Sequence, residues 1–175
     1  LQRVSNASPT MLNAGTKVPQ MSSCFQIATG DDLPALFDTV KTAALVSKWS
    51  GGVSLWLHNV RAEGAPIRKT GGRSSGIKRD VKILNEVQLS VDQGGNRPGA
   101  FAVYLSIDHD DIFTFLAMAR LKGEEALKSL SAPDLKYALW VPDLFMEALI
   151  AQLENEARVA NGGADDPSAG DWYLF

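Results

Sequence analysis

Short apolar runs alternate with amphipathic stretches along this chain, and that alternation predicts strands separated by helices. The strand candidates are short and rich in apolar, β-branched or aromatic residues, at positions 21–28, 53–60, 100–107 and 135–142. The helix candidates repeat apolar residues every three or four positions, at 31–49, 81–91, 108–121 and 142–160. The run 100–107 is almost continuously apolar, which is typical of a strand buried on both faces. This order predicts an α/β fold with mainly parallel strands.

Two glycine-rich loops interrupt the pattern, at 61–80 and 92–99. In parallel α/β folds, ligands bind on the loops that follow the carboxyl ends of strands, so both loops are candidate sites. The first loop carries Arg61, Arg68 and a third arginine, Arg73, among its glycines. Arginine grips phosphate with a two-pronged set of donors, so this loop is either a nucleotide-phosphate site or a flexible basic surface loop.

The second glycine-rich loop combines a Gly-Gly pair with Gln93, Asn96 and Arg97. Exposed amides, a side-chain amide and a cation together can read a base and a phosphate. The alternative is a plain turn between a helix and a strand. Neither loop has the spacing of a phosphate-binding loop of the Gly-x-x-x-x-Gly-Lys-Ser/Thr type or of a dinucleotide fingerprint.

Composition narrows the class of protein. The chain has 45% hydrophobic and 21% charged residues and a net charge of −3, as in ordinary globular proteins, so we expect no nucleic-acid or membrane partner. It begins with no signal peptide and has no run long enough for a membrane span, and a reducing cytoplasm is the expected compartment. The chain does not start with methionine and it ends on the apolar "DWYLF", so we expect a segment of a longer protein.

Cys24 is the only cysteine, which excludes an internal disulfide and a cysteine-rich zinc site. It is either a small apolar filling residue or one half of a pair whose other half lies outside this sequence. His58 and His109 are too few and too far apart to indicate a metal site, so none is predicted. The acids Asp108, Asp110 and Asp111 are typical of charges at a helix N-terminus.

Six segments in this order give the chain a family resemblance: "SPTMLNAGT", "PQMSSCF", "LVSKWSGGVSLWLHNVRAEGAPIR", "TGGRSSG", "VDQGGNRPGAFAVYL" and "YALWVPDLFM". They resemble the large, catalytic subunit of ribonucleotide reductase, and most closely its iron-dependent, two-subunit class that acts on diphosphates. The cobalamin-dependent class has similar glycine loops. The resemblance implies that residues 1–175 form the N-terminal part, about the first half, of a ten-stranded α/β barrel.

The resemblance also implies roles at the catalytic end. Cys24 matches one cysteine of a redox pair that reduces the ribose and is restored by thioredoxin or glutaredoxin, and its partner would lie beyond Phe175. Substrate-binding positions are matched by Ser8, Ser23, Gly51 and Gly52. The radical-bearing cysteine of the family lies outside this sequence, so the segment is not expected to be active alone. The segment itself would bind no cofactor, because a metal-containing small subunit supplies the radical.

A second set of implied roles is regulatory. The helix at 31–49 matches one that packs against its twin in a homodimer of large subunits, where deoxynucleoside triphosphate or ATP effectors bind. The matching effector positions are Asp31 or Asp32, Lys48, Arg61 and Arg68. The matching allosteric loop consists of Asp92, Gln93, Gly94, Gly95, Asn96 and Arg97. The stretch "GIKRDVKIL" and Lys69 depart from the family pattern, which bears on effector specificity.

Other classes of protein share some of these features. A non-catalytic nucleotide-binding relic, or one half of a split gene, would keep the effector positions without turnover. An α/β domain whose glycine loops are only turns would keep neither function. Effector binding and turnover by the same protein distinguish these alternatives.

Overall fold

The computed structural model describes residues 5–68, 70–91, 99–120 and 132–170. Four parallel strands lie in one sheet in chain order: β1 Cys24–Ala28, β2 Gly52–Trp56, β3 Phe101–Ser106 and β4 Lys136–Trp140. The helices of the described ranges are α1 Ser8–Asn13, α2 Leu33–Lys48, α3 Ile77–Ser90, α4 Ile112–Arg120 and α5 Asp143–Ala160. The predicted α/β fold with parallel strands is therefore confirmed.

Helices cover one face of the sheet. Side chains alternate between the faces of a strand, and the register aligns Ile27, Leu55, Val103 and Tyr137 across all four strands on the helix-facing side. Helix α2 packs on β1 and β2, while α3 and α4 pack on β3. The resulting core is apolar and draws on both layers, including Val53, Leu55, Phe101, Val103, Leu105, Val81, Leu84 and Phe115.

The other face of the sheet is not covered by the described part of the chain. It carries small or polar side chains in register, among them Gln26, Ser54, Ala102 and Lys136, and toward the carboxyl ends of the strands the aromatic rings of Trp56, Tyr104 and Trp140. The prediction that β3 is buried on both faces is wrong for this structure, since only alternate residues are buried and Ala102, Tyr104 and Ser106 are partly exposed. A sheet closed on one side only is what one wall of a barrel looks like.

Some element boundaries differ from the sequence prediction for local physical reasons. Helix α3 begins at Ile77, not at Val81, because Gly76 precedes it with a φ of +68° and a carboxylate accepts the amide of Ile77. Helix α4 begins at Ile112, after a turn. The short α1 was not predicted; its six residues hold no repeating apolar pattern.

Within the described ranges, no helix is both long and apolar enough to cross a membrane. The residues 171–175, predicted to begin a strand, and part of the second glycine-rich loop lie outside the described residues.

Two phenylalanines of α4 test the assignment of the covered face. Phe115 is 1% exposed and meets Tyr137 edge-on, whereas Phe113 is 82% exposed. We expect Phe115→Ala to lower the free energy of unfolding by about 3–5 kcal/mol. The matched change Phe113→Ala should alter it by less than about 1 kcal/mol. Urea unfolding measures both, and equal losses would contradict the assignment.

Candidate functional site

The exposed thiol of Cys24 lies beside a stretch of strand that has no side chain. Cys24 is the first residue of β1 and pairs in register with Gly52, the first residue of β2. The amide of Gly52 donates to the Ser23 carbonyl at 2.8 Å, and a Cβ on Gly52 would lie 3.2 Å from that oxygen. A side chain there would crowd the backbone, so glycine keeps the space beside the thiol open.

Gly51 serves the opposite face of the sheet. It is buried, and a Cβ on it would come within 2.6 Å of Val46 Cγ1 and 2.9 Å of Phe25 Cε2. Glycine is therefore required here for α2 to pack closely on β1, a reason that involves no ligand. The two adjacent glycines have different physical roles.

Ser8 and Ser23 belong to the same end of the sheet. Ser8 is exposed at the start of α1, and Ser23 is partly buried just before β1. The side-chain Nδ2 of Asn13 donates to the carbonyls of Gln20, at 2.7 Å, and Trp49, at 3.1 Å. Asn13 thereby ties α1 to the segments leading into β1 and β2. Ser23, Gly51 and Gly52 thus lie next to Cys24 along the chain or across the sheet, and Ser8 lies on the helix that Asn13 ties to this end.

This arrangement differs from the general expectation that ligands bind at the carboxyl ends of the strands. Cys24 and Gly52 lie at the amino ends of β1 and β2, whereas Asp31 and Arg61 follow their carboxyl ends. The two predicted sets of site residues therefore occupy opposite edges of the sheet. Strands of this length separate those edges by roughly 15–20 Å.

Arg61 and Asp31 form an ion pair at the carboxyl edge. The Arg61 side chain donates from Nε to Asp31 Oδ2 at 2.7 Å and also from Nη2, while its backbone amide donates to Oδ1 at 2.9 Å. Its remaining prong, Nη1, donates to the Pro66 carbonyl at 3.0 Å. The hydrogen bonds from Arg61 hold the pKa of Asp31 below 3.8 against the opposing effect of burial. Both partners are thus engaged with each other.

The basic loop, residues 61–76, is ordered in its described part. A β-bridge joins Pro66 to Arg73, and the amides of Gly64 and Ser74 donate to carbonyls on the opposite side of the loop. Arg68 is exposed near the tip of this hairpin. These backbone pairings give the described part of the loop the shape of a hairpin.

Asp32 and Lys48 occupy the two ends of α2. Asp32 Oδ1 accepts from the amide of Ala35 at 2.8 Å, so this carboxylate is an N-cap, as its position in the sequence indicates. Lys48 lies in the last turn, with its Nζ 5.6 Å from the centre of the Trp49 ring. The helix has 16 residues and spans roughly 24 Å, which keeps Lys48 away from Asp31 and Arg61 of the same chain.

The predicted allosteric loop, Asp92, Gln93, Gly94, Gly95, Asn96 and Arg97, lies outside the described residues. The chain on either side of it is fastened by Gln88, which is buried in the last turn of α3. Gln88 Oε1 accepts from the amide of Phe101 at 2.7 Å, and its Nε2 donates to the Asp134 carbonyl at 3.2 Å. This side chain joins α3 to the start of β3 and to the segment before β4.

Sequence reasoning missed two acids next to the basic loop, Asp111, which is buried, and Asp80, which is half-buried. Asp111 is 8% exposed, and its carboxylate accepts backbone amides at both ends of the basic loop. Asp80, in the first turn of α3, has a pKa raised to about 6 by burial and by the negative charge of Asp31. The sequence signal for Asp111 is the "DHDD" run, whose acids are typical of charges at the N-terminus of the helix that follows.

The two histidines near the carboxyl edge, His58 and His109, contact other residues of the fold. His109 Nε2 donates to the Val60 carbonyl at 2.6 Å while its Nδ1 accepts from the amide of Asp111. His58 stacks against Trp56, with ring centroids 5.1 Å apart, and burial lowers its pKa. Across the described ranges, no three histidine, cysteine, aspartate or glutamate side chains cluster closely enough to hold a metal ion.

Comparison with known proteins gives consistent findings. The family model for the ribonucleotide reductase barrel domain matches residues 22–174. The ribonucleoside-diphosphate reductase large subunit of African swine fever virus is 50% identical over 98% of this chain, which spans 21% of the viral protein. The large subunit from Arabidopsis thaliana is 47% identical over 97% of the chain and 19% of its own length. Large chain 2 from Saccharomyces cerevisiae is 47% identical over 84% of the chain and 17% of its own length.

The half-buried carboxyl of Asp80 predicts a dependence of stability on pH. Its pKa is about 6 in the folded protein against the ordinary value of 3.8, so the folded state binds more protons between these pH values. Stability therefore falls as pH rises through that window. We expect Asp80→Asn to raise the free energy of unfolding at pH 7 by about 1 kcal/mol, with no gain at pH 3. Urea unfolding at both pH values measures this, and the exposed Asp110→Asn should not reproduce it.

Proposed function

This chain belongs to the family of ribonucleotide reductase barrel domains, and on that premise we propose that it forms the N-terminal part of the catalytic barrel of a large subunit. The proposed barrel has ten strands, of which this chain supplies about the first half. The proposed reaction converts ribonucleoside diphosphates to deoxyribonucleoside diphosphates for DNA synthesis. The observation that carries the proposal is the exposed thiol of Cys24 on the uncovered face, next to the bare backbone of Gly52.

The proposed role of Cys24 is to reduce the substrate together with a second cysteine outside this sequence. As the ribose loses its 2′-hydroxyl as water, the two thiols give up two electrons and two protons and become a disulfide. Disulfide formation brings two Cα atoms to within about 6 Å, so the second cysteine must approach Cys24 from the uncovered face. Thioredoxin or glutaredoxin then restores both thiols by exchange. The reducing cytoplasm is the proposed compartment.

The substrate is proposed to lie along the amino edge of β1 and β2. Gly52 allows a ribose to approach the backbone, and the hydroxyls of Ser8 and Ser23 are the proposed donors to the substrate. Gly51 contributes indirectly, because the absence of a side chain there lets Val46 and Phe25 pack closely beside the start of β2. The segment binds no cofactor in this proposal, and a small subunit containing a metal supplies the radical, in keeping with the name "large subunit" of its relatives.

The effector site is proposed to form between two copies of this chain. The outer side of α2 exposes Leu33, Phe37 and Leu45, and Trp49 follows at the C-cap; these residues form an apolar stripe at intervals of four or eight, with the exposed Lys41 between Phe37 and Leu45. Two such helices packed antiparallel would bring Lys48 of one copy to the Asp31 and Arg61 end of the other. Within one chain, α2 holds Lys48 roughly 24 Å from Asp31 and Arg61. All three side chains can therefore contact one effector only in a homodimer, which is why we propose one.

A deoxynucleoside triphosphate or ATP is the proposed effector at this interface. Lys48 and Arg68 are exposed cations for its phosphates, and Arg61 is the third cation of the set. Asp31 or Asp32 would accept the sugar hydroxyl. Because Arg61 already pairs with Asp31, an effector would exchange some of those hydrogen bonds for its own. The segment from Asp92 to Arg97 is the proposed link from effector to substrate.

Changing the thiol of Cys24 tests the catalytic proposal. In the full-length protein with its small subunit and a thioredoxin reductant, Cys24→Ser should abolish turnover, because an alcohol cannot form a disulfide. Effector binding should stay unchanged, and the matched neighbour Ser22→Ala should keep turnover. Repeated turnover by Cys24→Ser would exclude the redox role. A wild-type protein that binds deoxynucleotides without turnover would favour the relic instead.

Changing the apolar stripe of α2 tests the dimer. Phe37 is 52% exposed near the centre of the stripe, and Phe37→Arg should weaken the dimer at least about tenfold, because a charge replaces a buried anchor. Effector affinity should fall with it. Sedimentation velocity with and without dTTP measures both effects. Phe113→Arg places the same charge on α4 and should leave the dimer intact, and an unchanged dimer in both variants would refute the interface.

A further inference from the structure

Asp111 holds the two ends of the basic loop on a single carboxylate. Its Oδ1 and Oδ2 accept from the amide of Glu63 at 3.1 and 3.2 Å, and Oδ2 accepts from the amide of Ile77 at 3.0 Å. Glu63 lies at the start of the basic loop, and Ile77 is the first residue of α3, directly after it. One side chain therefore closes the loop and fixes the N-terminus of the helix that follows.

The charge of this buried carboxylate makes the closure hard to release. Asp111 is 8% exposed, and within the described residues its carboxylate is held by backbone amides. The N-terminus of α3 adds the favourable end of a helix dipole. Moving either loop end away would leave a buried charge short of a hydrogen bond, which is costly in a site shielded from water.

Gly76 is required by the same contact. Its φ is +68°, and a Cβ there would come 2.5 Å from Asp111 Oδ2 and 2.8 Å from the amide nitrogen of Glu63. The amide of Gly76 donates to Ser74 Oγ at 3.0 Å, and Ser74 Oγ donates to the Arg61 carbonyl at 3.2 Å. These hydrogen bonds thus connect the contact at Asp111 to the backbone of Arg61.

His109 secures the loop from its other side. Its Nδ1 accepts from the amide of Asp111 at 3.0 Å, so the proton of the neutral ring lies on Nε2, which donates to the Val60 carbonyl at 2.6 Å. Val60 is the residue before Arg61. The turn between β3 and α4 therefore holds the chain on both sides of Arg61, at Val60 and at Glu63.

We infer that Asp111 is a positioning residue for the effector site, which it serves by keeping the basic loop closed in the shape that presents Arg61 and Arg68. The inference rests on the proposed effector role of that loop. Asp111 touches no effector in this assignment, because its carboxylate faces the backbone of the loop. Its loss should weaken effector binding while leaving the reduction chemistry at the opposite edge of the sheet intact.

Asp111→Asn in the full-length protein with its small subunit is the test. The amide keeps the size of the side chain but removes the charge and one acceptor, so we expect the dissociation constant of dTTP to rise about tenfold or more. The turnover number at saturating effector should match wild type. Trypsin cleavage after Arg68 and Arg73 should accelerate by a similar factor, because the loop opens more often.

Control variants separate this role from a general loss of stability. Asp110→Asn removes the same charge at an exposed neighbouring position and should change neither dTTP binding nor cleavage. Asp111→Asn with wild-type dTTP affinity would overturn the inference, even if its unfolding temperature falls. Should Asp111→Asn not fold, His109→Gln decides in its place: weaker dTTP binding supports the inference and unchanged binding overturns it. A wild-type protein that binds none of dATP, dGTP and dTTP would instead overturn the effector site itself.

Discussion

The covering of one sheet face by helices, with the opposite face left open, is the constraint that organises this protein. Side chains alternate between the two faces of a strand. When one residue packs into the core, the residues before and after it must therefore face the open side. Phe25 faces the helices, and Cys24 before it consequently faces outward beside Gly52. The packing of Phe25 in the core therefore determines that the thiol of Cys24 faces the open side of the sheet.

Because the four strands are parallel, the two candidate sites lie at opposite ends of the strands. The amino edge carries Cys24 and Gly52, and the carboxyl edge carries the Asp31–Arg61 pair and the basic loop. Helix α2 runs back from the carboxyl edge to the amino edge, so its two ends lie beside different edges of the sheet. In the proposed dimer, an effector held at the carboxyl edge of one copy would lie near the chain that leads to Gly51 and Gly52 of the other.

Periodic features were readable from the sequence, and long-range contacts were not. The apolar spacing of α2 and α5 and the run of β3 predicted those elements. The second covered face of β3 was predicted wrongly, because a continuous apolar run does not say whether another layer is present. Asp111 looked like a charge for its own helix, and only the fold brings it to the start of α3. Within one chain, Lys48 and Arg61 lie near opposite ends of α2, and this separation likewise follows from the length and direction of the helix.

Because Phe25 and Cys24 face opposite sides of the sheet, the length of β1 is constrained during evolution. A single inserted or deleted residue between Ser22 and Ala28 would shift β1 by one position and exchange its faces. The thiol would then point into the core, and the phenyl ring would point toward the open face. The strand can therefore accept many replacements of its apolar residues but not a change in length.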